Sequence, residues 1–315
     1  MSPALSTPVS VFFYRRPDHL RQVMARVRAA RPARLFGVSD GPKPGQPETR
    51  AGVEESRRIF REAVDWPCDW ELRERETNLG SYLSVSRGLD EILAKVDRTI
   101  VLEDDTVPEA DFFRFVAELL ERHRENTRIG AVCGNNYDDP RDWKGQSSYR
   151  LTRYHHSWGW GTWRRAWRVF DREEKLLAKL EDRAWRNSLP LSGQEWAYWE
   201  RCFRRTYARK LDAWDYRWTL SLWVHGLSCI IPCRNLVRNI GFDSLGTHTL
   251  EKDFRDHPMH EPLPLAFPLA HPDSLKPDSI LDDRVFRNHY RVLEGRREWW
   301  EKLRDRLWPR RKTEP

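Results

Sequence analysis

Apolar runs of strand length alternate with stretches of helical periodicity through residues 9–133, and this order constrains the fold more than any other feature. The strand-like runs cover residues 9–14, 35–39, 70–72, 99–102 and 129–133. Between them, apolar side chains recur at i, i+3, i+4 and i+7, as in residues 20–27. Strands separated by helices pair in parallel, with helices on both faces of the sheet. The sequence therefore predicts an α/β fold with a mostly parallel central sheet.

Polar segments follow these strands, at the carboxyl ends where parallel sheets bind their ligands. They are residues 14–16, 39–41, 75–80, 103–105 and 134–136. No GxGxxG follows the first strand, and no GxxxxGK(S/T) occurs in the chain. A dinucleotide-dependent dehydrogenase and a P-loop nucleotidase are therefore disfavoured.

Composition excludes several classes of protein. The 315 residues hold 55 Lys and Arg against 48 Asp and Glu, a formal charge of +7. No stretch approaches the roughly 18 uninterrupted apolar residues of a membrane span, and 12% aromatic residues argues against disorder. The five widely spaced cysteines indicate free thiols rather than disulfides or a zinc site. The basic excess suits an anionic partner such as a nucleotide or a membrane surface.

Three consecutive carboxylates, Glu103, Asp104 and Asp105, directly follow the buried run at residues 99–102. Such side chains repel one another unless a cation is present. A hard divalent ion accepts carboxylate oxygens and also bridges the phosphates of a nucleotide. The alternative is a solvated acidic turn that opens the next helix, where negative charge suits the helix dipole. The triplet alone leaves both interpretations open.

The triplet resembles the DxD-type motif of GT-A glycosyltransferases. Residues 101–113 resemble the corresponding stretch of the N-acetylglucosaminyltransferase I group and of related bacterial sugar transferases. Similar blocks occur in the same order at residues 16–17, 39–41, 78–80, 158–163, 214–218, 235–242 and 246–249. The resemblance implies a GT-A (Rossmann-like) fold with a Trp-rich acceptor-side lobe. It also implies a metal-dependent transferase of a sugar from a nucleotide diphosphate, with UDP as the expected nucleotide.

The same resemblance implies the metal ligands. Asp105 would ligate the metal, with His248 as a second ligand, and Glu103 and Asp104 would contact the ribose or complete the metal shell through water. One imidazole among oxygen ligands suits Mn²⁺, with Mg²⁺ as the alternative. An ordinary hydrogen-bonded loop histidine is the alternative for His248.

The resemblance also implies the residues that bind the nucleotide. Asp40 would accept a hydrogen bond from the base, and Arg16 would stack on or pair with the nucleotide. Asn78 and Gly80 would form the next nucleotide-contacting loop. For Arg16, a solvated entry to a helix is an equally weighted alternative.

Asp215 is the candidate general base, because a sugar hydroxyl that attacks an anomeric carbon needs a group to accept its proton. Its aromatic neighbours Trp214 and Tyr216 would desolvate the carboxylate and offer surfaces to sugar rings. Direct action of Asp215 on the acceptor predicts one displacement, which inverts the anomeric configuration. The alternative is that Asp215 caps a helix, and Asp212 and Glu195 are the reserve candidates.

Eleven of the 16 tryptophans lie between residues 143 and 223. Four of them are candidates for an acceptor-binding surface, namely Trp158, Trp160, Trp163 and Trp214. The alternative is that these indoles belong to the core of a Trp-rich lobe.

The chain divides into a nucleotide-sugar-binding half at residues 1–140, an acceptor half of the same domain at 141–256, and a C-terminal part at 257–315. The C-terminal part combines a Pro-rich strap with a basic amphipathic helix predicted from Arg284 to Trp308, a pattern that suits an anionic membrane surface. Packing of that helix on the domain is the alternative. Residues 1–9 lack the pattern of a secretory signal, so a cytoplasmic location is expected, with peripheral association at the inner membrane face as its extension.

The expected partners are a nucleotide-diphosphate sugar and a glycan or lipid-linked acceptor. A nucleic-acid-binding protein is the first alternative, and it is disfavoured because the basic residues are scattered among nearly as many acidic ones. A non-catalytic sugar-binding protein on a transferase fold is the second. The intact acidic triplet and Asp215 disfavour it.

Overall fold

A central sheet of eight strands forms the framework of the protein. The computed structural model describes residues 5–138, 143, 147–242 and 261–291. The strands of the sheet are β1 (Val9–Phe13), β2 (Arg34–Ser39), β3 (Asp69–Glu74), β4 (Arg98–Glu103), β6 (Ile129–Cys133), β7 (Tyr149–Thr152), β8 (Trp160–Trp163) and β9 (Ser228–Pro232). A separate two-stranded ribbon pairs β5 (Thr106–Pro108) with β10 (Val237–Asn239) in antiparallel fashion.

The strand order is β3-β2-β1-β4-β8-β6-β9-β7. Strands β3, β2, β1 and β4 pair in parallel, as do β6 and β9, whereas β8 and β7 run antiparallel to their neighbours. Six of these eight strands therefore point in one direction, and the predicted mostly parallel sheet is confirmed. The first and last residues of each strand predicted from the sequence lie within two residues of those of an observed strand.

Helices cover both faces of this sheet. They are α1 (Pro17–Ala30), α2 (Glu48–Ala63), α3 (Gly80–Lys95), α4 (Ala110–Arg122), α5 (Arg164–Trp167), α6 (Arg183–Ser188), α7 (Gly193–Tyr207), α8 (Asp215–Val224) and α9 (Ser279–Val285). Successive side chains of a strand point to opposite faces. Phe13 of β1 stacks on Phe60 of α2 with ring centroids 5.5 Å apart, whereas Phe12 faces α3, where its ring lies against Gly88. The two helices therefore pack on opposite faces, as predicted.

Strand β8 joins the two halves of the chain into one sheet. It is inserted between β4 and β6, so it pairs with Arg98 to Val101 on one side and with Ala131 to Cys133 on the other. Strands from both sides of the boundary expected near residue 140 therefore belong to one continuous sheet.

The C-terminal segment begins its helix earlier than predicted. The helix was expected from Arg284, but α9 starts at Ser279 because the carboxylate of Asp278 accepts hydrogen bonds from the backbone N–H groups of Ile280 and Leu281. A π-helical turn at Phe286–Tyr290 follows α9 directly. The predicted membrane-binding residues between 292 and 308 lie outside the described residues. Within the described ranges, no helix is both long and apolar enough to cross a membrane.

Candidate functional site

The acidic triplet lies at the carboxyl end of β4, beside the end of β1. Glu103 is the last residue of β4 and is in register with Phe12. The hydroxyl of Thr106 closes the turn that follows, since it accepts from the Glu103 N–H at 2.8 Å and donates to the Glu103 carbonyl at 3.0 Å. The three carboxylates are thus held at the edge of the sheet where a parallel fold binds ligands.

The loop after β1 is bonded to this triplet. Nη1 of Arg16 donates to Oδ2 of Asp105 at 2.8 Å and lies 3.8 Å from Oδ1 of Asp104. The backbone N–H of Tyr14 donates to Oδ2 of Asp104 at 3.1 Å. Arg16, whose predicted contact is with the nucleotide, therefore lies against the triplet, and its guanidinium partly neutralises the cluster.

Asp215 approaches the triplet from the other half of the chain. It is the first residue of α8. Burial raises the pKa of Glu103 well above its usual range, and the negative charges of Asp105, Asp104 and Asp215 raise that pKa further. Burial and the charge of Asp105 likewise raise the pKa of Asp104 to about 6. Asp215 therefore lies close enough to the triplet for its charge to act on Glu103.

The two residues that follow β10, Ile240 and Gly241, lie against Asp105. The backbone N–H of Ile240 donates to the Asp105 carbonyl at 2.8 Å, and Nε2 of His19 lies 3.0 Å from the Ile240 carbonyl oxygen. At Gly241 a Cβ atom would collide with the Asp105 carboxylate, so glycine permits this close approach. His248, the second predicted metal ligand, lies outside the described residues.

The donor set at the triplet fits a hard divalent cation. No group of three His, Cys, Asp or Glu side chains within the described ranges is arranged to hold a metal by itself. Mg²⁺ and similar ions, however, are commonly held by one or two carboxylates together with substrate phosphates. Asp104 and Asp105 offer such oxygens, and burial together with the charge of Asp105 raises the pKa of Asp104 to about 6 although Arg16 lies beside it. The residues present therefore fit Mn²⁺ or Mg²⁺.

Asp40 holds a turn together, and this corrects its predicted contact with a nucleobase. Its Oδ1 accepts from the N–H groups of Gly41 and Leu79, and its Oδ2 accepts from the Gly80 N–H and from Nδ2 of Asn78, all at 2.8–3.1 Å. Both oxygens of this buried carboxylate are engaged, so Asp40 positions Asn78 and Gly80 beside the end of β2.

Asp212, the first reserve base, lies in the second half of the chain and caps the start of helix α3. Its carboxylate accepts from the backbone N–H groups of Ser81 and Tyr82 at 2.9 Å. Gly80 has φ +81°, and a Cβ there would lie 2.5 Å from Oδ2 of Asp212. Glu195, the second reserve, belongs to the capping box of α7 and bonds the Tyr154 hydroxyl. The carboxylates of Asp212 and Glu195 therefore both accept hydrogen bonds that stabilise the fold.

Three of the four predicted acceptor-binding tryptophans are core residues, which corrects their assignment. Trp160 is fully buried and stacks on Trp214 with centroids 5.2 Å apart. The indole N–H of buried Trp163 donates to the Leu120 carbonyl at 2.9 Å. Trp158 is partly exposed and packs edge-on against Tyr137, with centroids 5.3 Å apart. Only Trp158 keeps a surface that a ligand can reach.

Two tyrosines that the sequence analysis missed lie close to Asp215. Burial raises the pKa of Tyr137 and of Tyr290, and the charge of Asp215 adds to both shifts. Tyr137 directly follows the polar segment after β6, a signal that could have identified it. Tyr290 is on the π-helical turn, 75 residues beyond Asp215 in sequence, and no local pattern indicates its position.

Comparison with known proteins does not assign this chain to a family. No family model matches the chain, and no curated protein matches it. The fold is similar to GalNAc-T7, crystallised with UDP, GalNAc and Mn²⁺, with a TM-score of 0.42 and 10% identity over 73% of this chain and 43% of that one. It is also similar to a UDP-glucose pyrophosphorylase complexed with UDP-glucose, with a TM-score of 0.31 and 7% identity over 52% of this chain and 79% of that one. At such low identity, any functional conclusion depends on the residues of this chain.

Proposed function

We propose that the protein is a metal-dependent, inverting glycosyltransferase of the GT-A type, which moves a sugar from a nucleotide diphosphate to a hydroxyl group. The observation that supports this most directly is the placement of Asp215 beside the triplet Glu103, Asp104 and Asp105. A divalent cation and a pyrophosphate are the ligands that such a carboxylate cluster at a strand end is suited to bind.

Asp105 and Asp104 would hold the divalent ion, which stabilises the negative charge that develops on the departing nucleoside diphosphate. Arg16 is close enough to share that role, since its guanidinium lies at the Asp105 carboxylate. The turn fixed by Asp40 would contact the nucleotide through Asn78 and Gly80. A UDP-linked sugar is the favoured donor.

Asp215 would accept the proton of the attacking hydroxyl. Its own burial is partial, and the buried aromatic rings of Trp214, Tyr137 and Tyr290 exclude water from its surroundings. Attack by an acceptor that Asp215 deprotonates directly gives inversion at the anomeric carbon. The acceptor would be a glycan or a lipid-linked glycan.

The test is a screen of UDP-, GDP- and dTDP-sugars for Mn²⁺-dependent hydrolysis and thermal stabilisation. We expect one nucleotide class to be turned over by the wild type. Asp105→Ala should lose both turnover and Mn²⁺-dependent stabilisation, whereas Asp215→Asn should lose about 10²–10⁴-fold in turnover and keep nucleotide binding.

Asp97→Asn is the matched control, because this exposed carboxylate precedes β4 at the opposite end of the strand. It should behave as the wild type. Unchanged turnover in both Asp105→Ala and Asp215→Asn would contradict the site assignment, and absence of any binding or turnover across the screen would contradict the proposed function.

A further inference from the structure

The C-terminal segment is anchored beside the candidate site by two buried carboxylates. Asp282 of α9 accepts from Nε of Arg153 at 2.8 Å and from the hydroxyl of Thr152. Arg284 donates to both oxygens of buried Asp138, with Nε at 3.1 Å. Removing one partner of a buried ion pair is strongly unfavourable, so these contacts fix the segment in place.

The π-helical turn keeps the inward face of this segment aligned. Its buried residues recur every four positions, at Leu281 and Asp282, at Val285 and Phe286, and at His289 and Tyr290. In a regular α-helix, a residue eight positions further along has rotated by about 80° beyond two full turns. The wider π turn reduces that rotation, and π-helical insertions of this kind are frequent at functional sites. It therefore directs both His289 and Tyr290 inward.

His289 stacks on Tyr137, one of the two tyrosines near Asp215. The ring centroids are 3.7 Å apart and the ring planes differ by 9°. The ring of His156 lies 4.3 Å from the same Tyr137 ring. Two rings this close to one centroid cannot share a face, so Tyr137 is held between them. The edge contact of Tyr137 with partly exposed Trp158 extends this aromatic group to the surface.

We propose that His289 is a positioning residue for the acceptor: by stacking on Tyr137 it fixes the ring that contacts Trp158, and the partly exposed indole of Trp158 is the surface against which the acceptor sugar binds beside Asp215. This inference rests on the proposed function. Aromatic faces are suitable surfaces for the apolar C–H groups of a sugar ring. The donor side of the site, formed by the ends of β1, β2 and β4, makes no use of His289.

The experiment separates the acceptor from the donor. Hydrolysis of UDP-N-acetylglucosamine, or of the nucleotide sugar that the screen selects, reports on the donor side, because water replaces the acceptor. Transfer to a panel of methyl hexopyranosides reports on the acceptor side. Three variants are compared with the wild type, namely His289→Ala, His289→Phe and Arg287→Ala. Arg287 lies on the same π turn, is exposed and pairs with Asp283, so it is the matched control.

We expect His289→Ala to raise the KM for the methyl glycoside about tenfold, with hydrolysis and the affinity for UDP and Mn²⁺ within twofold of the wild type. His289→Phe should restore the KM, since it keeps the stacked ring, and Arg287→Ala should change nothing. A merely structural role of His289 would lower hydrolysis and transfer together.

Three results would overturn the inference. They are an unchanged acceptor KM in His289→Ala, a parallel loss of hydrolysis and transfer, and a wild type that hydrolyses the donor but transfers to no glycoside. The proposed function fails differently, because the wild type would then neither bind nor hydrolyse any nucleotide sugar.

Discussion

Three of the buried histidines of this basic protein have a pKa that burial lowers. Burial lowers the pKa of His123 and of His156 to about 4, and it lowers the pKa of His155 further below the usual range. His155 packs edge-on against the ring of Trp160, with centroids 4.6 Å apart. Such residues make the fold sensitive to acid, since unfolding exposes them to protons.

His123→Gln should reduce that acid sensitivity. Below pH 6.5 the unfolded chain protonates His123 and the folded chain does not, until the pH approaches 4. Stability therefore falls with decreasing pH through this window, by up to about 1.4 kcal/mol per pH unit for one proton. The variant lacks this proton, so its free energy of unfolding should gain about 2 kcal/mol relative to the wild type between pH 7 and pH 5. Urea unfolding at the two pH values measures the gain.

The surface variant His225→Gln is the control for this measurement. Because the comparison is a difference between variant and wild type, titration of the acidic triplet cancels from it. A difference that stays constant between pH 7 and pH 5 would show that His123 does not have the lowered pKa that its burial produces.

The secondary-structure elements of the first half could be predicted because each helix shows a helical period and most strands are short apolar runs. The broad apolar face of residues 112–120 predicts α4, and the short run at residues 99–102 predicts β4. Strand β8 could not be predicted in this way. It lies in the middle of the sheet and its four residues are all buried, but Gly161 and Thr162 separate its two tryptophans, so the sequence shows no apolar run of strand length. Its tryptophans therefore suggested a binding surface when they belong to the core.

The candidate site could be predicted only in part. The triplet is visible because three adjacent carboxylates after an apolar run are unusual, and its neighbour Arg16 follows the preceding strand in the sheet. The hydrogen bonds of Asp40 were not predictable, since they depend on a turn 38–40 residues away in sequence. The same limit applies to His289, whose stacking on Tyr137 depends on how the C-terminal segment folds back.

Helix α3 depends on two carboxylates at its start, and they should contribute unequally. Asp40→Ala leaves four donors without their acceptor, at a buried position. We expect it to lower the free energy of unfolding by about 2–4 kcal/mol. Asp212→Ala removes an exposed cap and should cost about 1 kcal/mol. Chemical denaturation of both variants measures the two losses.

Asp40→Asn is the conservative comparison for this helix. Its side-chain oxygen can still accept from backbone N–H groups, but its amide nitrogen cannot, so it should fall between the wild type and Asp40→Ala. Equal stability of Asp40→Ala and Asp212→Ala would show that burial of the Asp40 hydrogen bonds adds nothing to the stability of α3.

At the scale of the whole molecule, later parts of the chain fold back on earlier ones at two places. Strand β8 fills the place between β4 and β6, and α9 bonds to Thr152 and Arg153 at the end of β7. The candidate site has the same organisation, since the triplet and Asp215 come from different halves. Donor-side and acceptor-side residues therefore depend on one shared sheet.

This organisation predicts that residues 1–138 do not fold alone, although they contain a complete pattern of alternating strands and helices. Without β8, the backbone of β4 from Arg98 to Val101 loses its antiparallel partner, and β6 is separated from the rest of the sheet. Helix α4 loses its contact with Trp163. We expect the full chain to unfold in one cooperative urea transition and the fragment to show none, as followed by circular dichroism. A cooperative transition in the isolated fragment would mean that the first half forms its own domain, and β8 would then be an addition to a sheet that is already stable.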